Sequence, residues 1–444
     1  MTLAPRHLVR ICIAALFIAW LTALPMSGML LTHEQLMPWF LAPHVCVLFG
    51  LGRLAAGMPA QQLQQLIRIG LIGTVGLSLL ALELKGGWSI PLMVLLGIVS
   101  APVSLRMGQY LKASERPIVF AALALAAGNL LALALGLAPL SPQLKLTFVS
   151  VLLLFLLTPL GPGQPHRATT PTHLPQLLIY LPFIFVFQIV SGLMYGGLIP
   201  AYEAHAVVPG LEVIFYGVGA IGCLWLVKYT QPTAMLIGVV SALAAFALWS
   251  LLPSGVGIHG AMFFMMAAAG IIDLLLLFLV LKQTDLVRAY GYGVGVLCGG
   301  ILVGHLLSMA LGGAADTIAF VGLILLNMAV LSLYLPRKGA ETTAADDAPS
   351  TQDSAVRLPD ALTQILSDQE QQVLRQVLTE KTYREVADAL SISESSVKTY
   401  MHRIFQKTGV YRRHQLLELI RDPGSTLHDV AQNPAGGERK IGVA

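Results

Sequence analysis

The sequence predicts an all-α chain in two parts: a polytopic membrane bundle of about twelve spanning helices, followed by a small four-helix soluble module. Three observations predict it. The 444 residues are 56% hydrophobic and only 11% charged, whereas a soluble domain is about one-quarter charged. Apolar runs of spanning length recur as far as residue 335. The charge collects behind them: residues 1–335 hold 13 of the 27 Lys+Arg and 8 of the 23 Asp+Glu, which leaves 14 and 15 for the last stretch.

In chain order, the apolar runs fall at roughly 8–29, 37–57, 66–84, 88–107, 117–139, 144–161, 176–198, 209–228, 232–252, 258–281, 289–311 and 316–335. A span needs about 20 apolar residues. The fourth is interrupted by Pro102 and Arg106, and the sixth is short. The first run follows MTLAPRHLVR without a small-residue cleavage site, so it reads as a retained helix. The four cysteines (Cys12, Cys46, Cys223 and Cys298) sit singly in apolar runs and read as small buried hydrophobes.

Charge orients the bundle. With the N-terminus inside, thirteen basic residues up to Lys338 fall on inner segments and two, Lys85 and Lys145, on outer loops. That is a positive-inside bias, and Trp39 and Trp88 fall at outer interfaces as aromatic belts do. An even number of spans returns the C-terminus to the cytoplasm.

GPGQPHRATTPTHLP, residues 161–175, has no apolar period and divides the spans six and six. This arrangement resembles the major facilitator superfamily, whose halves pack around a midplane cavity. In that family the inner loop after the second span carries Gly, an Asp-Arg pair, Gly and basic residues. Here the stretch is GLGRLAAGMPAQQLQQ: Gly52, Arg53 and Gly57 match, and the acidic residue and the trailing basic pair are absent.

Polar residues inside spans are costly and mark function or interhelical bonding. Asp273 and His305 lie well within the tenth and eleventh spans, and Asn129, Gln188 and Tyr195 within others. One reading is a cavity they line, holding a small ligand of unknown identity. The other is interhelical hydrogen bonding, which weighs more for Asn129 and Gln188. His44 and Glu212 are further polar positions, Glu212 close to an outer end and within reach of water. GYGVGVLCGG (291–300) follows no strand, so its glycines read as close helix packing rather than a nucleotide loop. There is no nucleophile elbow, HExxH or P-loop, and the sequence is not read as an enzyme; no cofactor or metal is expected.

Residues 336–357 lose all periodicity and read as a flexible linker of about 25 Å root-mean-square span. Residues 422–444 read as a disordered tail. Between them local signals agree. Ser367 with Glu370, and Thr382 with Glu385, form capping boxes; Ser393 caps a third helix with Glu394 in its first turn. Apolar faces follow at Val373, Leu374, Val377 and Leu378, then Val386, Ala387 and Leu390, then Val397, Met401, Ile404 and Phe405. The SIS turn between the second and third helices makes a helix-turn-helix. From Ser395 to Leu417 no acidic residue occurs, whereas Lys398, Arg403, Lys407, Arg412 and Arg413 are basic. That suits phosphate contact.

These residues, from Leu366-Ser367 through SISESSVKTYMHRIFQKTGV, resemble the LuxR-type (GerE-like) domain of bacterial transcription regulators. The resemblance implies that Lys398, Thr399 and His402 face the major groove of double-stranded DNA. It implies that Ser395, Ser396, Tyr400, Arg403 and Lys407 lie near phosphates. It implies dimerisation through the last helix, with Leu416, Leu417 and Ile420. The expected organisation is a membrane domain over 1–335 (halves about 1–161 and 176–335), the linker, a DNA-binding domain over 358–421, and the tail. The expected protein is a membrane-embedded regulator in the bacterial cytoplasmic membrane, both termini cytoplasmic; a transporter with an appended regulatory domain is the second reading.

Overall fold

A computed structural model describes residues 5–26, 36–54, 57–81, 83, 86–158, 174–252, 254–334, 358, 362, 365–378, 382–390 and 392–408. The chain divides into two compact units, Met1–Ala340 and Glu341–Ala444. Among the described residues every regular element is helical.

The first unit runs α1 (Pro5–Leu21), α2 (Met37–Leu54), α3 (Ala60–Leu80), α4 (Ser89–Lys112), α5 (Pro117–Leu137), α6 (Pro142–Leu152) and α7 (Leu174–Leu193). It continues with α8 (Leu198–Glu203), α9 (Val213–Gly222), α10 (Leu224–Tyr229), α11 (Gln231–Leu251), α12 (Gly255–Leu281), α13 (Leu286–Ala310) and α14 (Ala315–Tyr334). Ten helices among the described residues are long and apolar enough to cross a membrane. The other two expected spans hold shorter apolar helices, Pro142–Leu157 and Val213–Gly222. The first ends in a 3-10 turn, and the second gives way to α10 at Cys223.

Helix ends follow local chemistry. Ser141 and Ser254 accept from the backbone N–H three residues on, as does Asp285 from Arg288 N at 3.0 Å. The fourth expected span is one continuous helix of 24 residues despite Pro102. Its Arg106 is buried yet satisfied: Nη2 donates to Thr158 O at 2.9 Å, Nε to Leu156 O at 3.3 Å, and Nη1 to Gln109 Oε1 at 3.0 Å. Two more basic residues serve carbonyls at helix ends. Arg10 Nη1 donates to Ala113 O at 2.6 Å, after α4, and Lys112 Nζ donates to Gln283 O and Thr284 O, after α12. Cations at C-terminal carbonyls suit the helix dipole.

The halves meet where α2 packs on α13 and α5 on α9. Both contacts involve helices with little room for side chains. A Cβ on Gly291 of α13 would lie 2.6 Å from Leu48 O and 2.7 Å from the Cα of Gly52 on α2, so only glycine permits that approach. Gly293 and Gly300 are approached as closely by Val280 and Gln188, so these glycines serve packing, and Gly52, one of the inner-loop matches, is engaged in the Gly291 contact. Large apolar side chains such as Ile69, Leu236 and Phe320 point outward, as lipid requires. Trp39 and Trp88 are exposed. One expectation is corrected: Cys223 and Cys298 are buried, but Cys12 and Cys46 face outward from α1 and α2, because a lipid-facing surface accepts small apolar groups as readily as the core does.

The second unit holds α15 (Asp368–Leu378), α16 (Tyr383–Leu390) and α17 (Glu394–Thr408). Leu362, Leu366, Val373, Leu374, Val386, Val397, Met401 and Ile404 form its core, with Leu358 also buried. Phe405, expected in the buried stripe, is only partly buried at its rim. The linker 336–357, Gly409, the last helix and the tail lie outside the described residues.

Gly291→Leu should lower the thermal midpoint of the purified full-length protein by several degrees, corresponding to an overpacking cost of about 1–3 kcal/mol. Gly50→Ala, on the facing helix α2 with nothing within 4 Å of a built Cβ, should leave it unchanged.

Candidate ligand cavity and nucleic-acid interface

A cavity of about 530 Å³ lies inside the first unit. It reaches the ends of α1 and α7 and the starts of α2, α8 and α9, and bottoms on Ser104, Met107 and Tyr290. Below that floor the Tyr290 ring lies where a side chain on Gly108 would be, and Lys112 bonds across to the end of α12. The described cavity thus extends away from the end where α1 begins.

All five membrane residues singled out from sequence line it: Asp273, His305, Asn129, Gln188 and Tyr195. They come from four helices and a 3-10 turn, α5, α7, α12, α13 and Met194–Gly196. Asp273 is the hub. Its Oδ1 accepts from Gln188 Nε2 at 2.7 Å and its Oδ2 from Tyr216 OH at 2.7 Å, joining α12 to α7 and α9. Each oxygen retains a lone pair for a further donor. Gln188 therefore both joins helices and faces the cavity. Asn129 bonds within its own helix: its Nδ2 donates to Leu125 O of α5 at 2.9 Å.

His305 is 2% exposed, and among the described residues neither ring nitrogen has a hydrogen-bond partner. Its ring stands edge-on to Tyr195, with centroids 5.9 Å apart. His44 is settled differently: Nδ1 lies 3.0 Å from Ser100 Oγ and 3.1 Å from Gly97 O. Glu212, expected to reach water, lines the cavity with Oε2 buried and unpartnered. The sequence reading missed Tyr216 and Glu203, which also line it. Neither carries a local signal: Tyr216 lies in an ordinary apolar run, and Glu203 in a stretch read as a loop.

In the second unit the three caps form as their residues require. Ser367 N donates to Glu370 Oε2 at 2.8 Å and Glu370 N to Ser367 Oγ at 3.4 Å. Thr382 and Glu385 exchange the same pair at 2.8 and 3.3 Å. Ser396 N donates to Ser393 Oγ at 3.0 Å. With these turns set, α17 buries Val397, Met401 and Ile404 and exposes Lys398, Thr399, His402 and Arg403. Ser395 is exposed and Ser396 half-buried. Lys398 pairs with Glu394 at 2.8 Å, an exposed contact of small energy that a phosphate can replace.

Two of the expected phosphate-side residues also have internal partners. Lys407 Nζ lies 2.7 Å from Glu370 Oε2, and Tyr400 OH donates to Gln369 Oε1. These bonds join the middle and the end of α17 to the start of α15. Burial works to raise the Glu370 carboxyl, but the Lys407 ammonium and the Ser367 backbone outweigh it and hold it below the ordinary glutamate range.

Residues 364–420 match the family model GerE, described as bacterial regulatory proteins, luxR family. The C-terminal module is a LuxR-type helix-turn-helix DNA-binding domain, carried by a multi-pass membrane protein. The solved structure of a human organic anion transporter, MFSD10 (TETRAN), is similar to this chain with a TM-score of 0.52 and 14% identity, over 74% of this chain and 100% of that one. The membrane domain accordingly has a major-facilitator-like fold. No curated protein matches the chain.

Lys407→Met should destabilise the second unit by about 1–2 kcal/mol. This is less than the roughly 3–5 kcal/mol of a fully buried pair, because Lys407 is 42% exposed. The Glu370 contribution should be complete above the ordinary glutamate pKa of about 4.3 and disappear as pH falls through its lower folded value. Urea midpoints of a 341–444 fragment, measured across that window with Glu370→Gln as control, test the sign: the control should lack this component of the pH dependence.

Proposed function

We propose that the protein is a membrane-embedded one-component transcription regulator. The membrane domain senses a small ligand in its central cavity, and the helix-turn-helix domain binds DNA sequence-specifically. The observation that carries this is the cavity, furnished with Asp273 and His305, in the same chain as the exposed basic face of α17. A ligand that binds one membrane state better than another shifts the population toward it. That shift frees, hides or pairs the tethered DNA-binding domains.

Lys398, Thr399 and His402 read base edges in the major groove, and Ser395, Ser396, Tyr400, Arg403 and Lys407 serve the phosphates. Use of Tyr400 and Lys407 on DNA exchanges or shares their bonds to Gln369 and Glu370. The protein sits in the bacterial cytoplasmic membrane with both termini inside. It dimerises on DNA through the last helix, with Leu416, Leu417 and Ile420. The inner-loop sequence, lacking the acidic and basic residues of the transporter motif and with Gly52 given to helix packing, favours sensing over transport. The anion chemistry named for the human transporter does not carry over to a cavity lined by carboxylates.

A fragment comprising 341–444 should bind DNA at low salt; no binding would end the DNA-reading proposal. In that fragment, Lys398→Ala and His402→Ala should relax base preference by about 1–3 kcal/mol at one position each. Arg403→Ala should instead weaken all sites alike and reduce the salt slope by about 1. In cells, removing residues 1–335 should keep DNA occupancy and abolish its response to ligand. An unchanged response in that truncation would sink the sensing model, and robust substrate counterflow in vesicles would support transport instead.

A further inference from the structure

The charge lining the cavity has one sign. Asp273 lies deep within it, Glu203 and Glu212 line it near α8 and α9, and among the described residues no Lys or Arg lines it. A carboxylate in a low-dielectric interior calls for a compensating positive charge. Gln188 and Tyr216 fix the orientation of Asp273 without supplying one.

Two other features point to a bound molecule rather than to packing. The volume of about 530 Å³ is in the range of sites for drug-sized ligands. His305 faces this space with both nitrogens unpartnered, and a buried imidazole in that state is costly until something bonds it. The rest of the wall is apolar and adaptable, with methionines such as Met107, Met194 and Met262. Tyr195 and Tyr216, the latter bonded to Asp273 through its hydroxyl, add aromatic rings to the lining, and aromatic rings attract cations. Among the described residues no group of three His, Cys, Asp or Glu is arranged to hold a metal ion.

We propose that the cavity binds an apolar organic monocation: a protonated amine or an onium ion with a bulky hydrophobic body. Its charge sits at Asp273, and His305 bonds a polar group on its body. Glu203 and Glu212 raise its local concentration near the end of the cavity. This proposal rests on the ligand-sensing reading and names the ligand class for that site.

The test uses purified full-length protein in detergent, with tetraphenylphosphonium as the probe and tetraphenylborate, an anion of nearly the same size and shape, as its counterpart. Equilibrium dialysis should give saturable binding of the phosphonium and only unsaturable partition of the borate. Asp273→Asn should weaken phosphonium binding by about tenfold or more. If that variant does not fold, Glu212→Gln, at the rim, should weaken it several-fold. Saturable borate binding of equal or greater affinity, or unchanged phosphonium affinity in the folded carboxylate variants, would overturn the proposal. A transcriptional reporter read in parallel separates the two claims. Saturable phosphonium binding with no change in reporter output upholds the cation site and refutes sensing. Reporter response to an anionic compound, with no phosphonium binding, overturns the cation assignment and upholds sensing.

Discussion

A polar group inside a bilayer must find a partner within the protein or face a cavity, since hydrocarbon offers none. Much of the first unit follows from that constraint. Arg106 stays buried because the carbonyls of Leu156 and Thr158 and the amide of Gln109 receive it. His44 is acceptable because Ser100 and Gly97 lie within 3.1 Å. Asp273 is held by two donors from two other helices. Of the buried side chains left with an unpartnered atom, Ser191, Glu212 and His305 line the cavity, whereas Gln109, Ser150 and Gln283 do not. Among the described residues, four of the seven unpartnered atoms thus belong to cavity-lining side chains, two of them to His305.

The same economy closes one end of the bundle. Lys112 from one half reaches the carbonyls that end α12 in the other, and Gly52 meets Gly291 between them. These contacts join the halves on the side where α1 begins and leave the cavity extending toward the other side. An arrangement in which the halves separate at that end must break the lysine contact and the glycine approach together.

In the DNA-binding unit the organising group is Glu370. One carboxylate completes a capping box at the start of α15 and holds Lys407 near the end of α17. The helix with the exposed basic face is thus braced at its far end, while its start is fixed by the Ser393 cap. Lys407 is already engaged in an ion pair, so the charges of this helix are not all equally available. Lys398 and Arg403 differ from it in lying on the open face, Lys398 with only an exposed i,i+4 partner.

The sequence by itself determined the helical class, the place of nearly every element, the capping boxes and the five polar residues of the spans. Each is set by local chemistry: runs without charge, a hydroxyl three residues before a carboxylate, a polar atom in an apolar stretch. It read one long helix through Pro102 and Arg106 as doubtful, because two of the partners that rescue Arg106, Leu156 and Thr158, are about fifty residues away. Tertiary structure alone decided that Asn129, Gln188, Tyr195, Asp273 and His305 share one cavity, that Tyr216 and Glu203 join them, and that Gln188 spends its amide on Asp273 while Asn129 turns back on its own helix. It also decided that Glu370 serves two helices. The physical reason is common to all: these facts depend on which helix faces come together, and that is settled by the close approach of glycines and the summed packing of many apolar side chains rather than by any short stretch of chain.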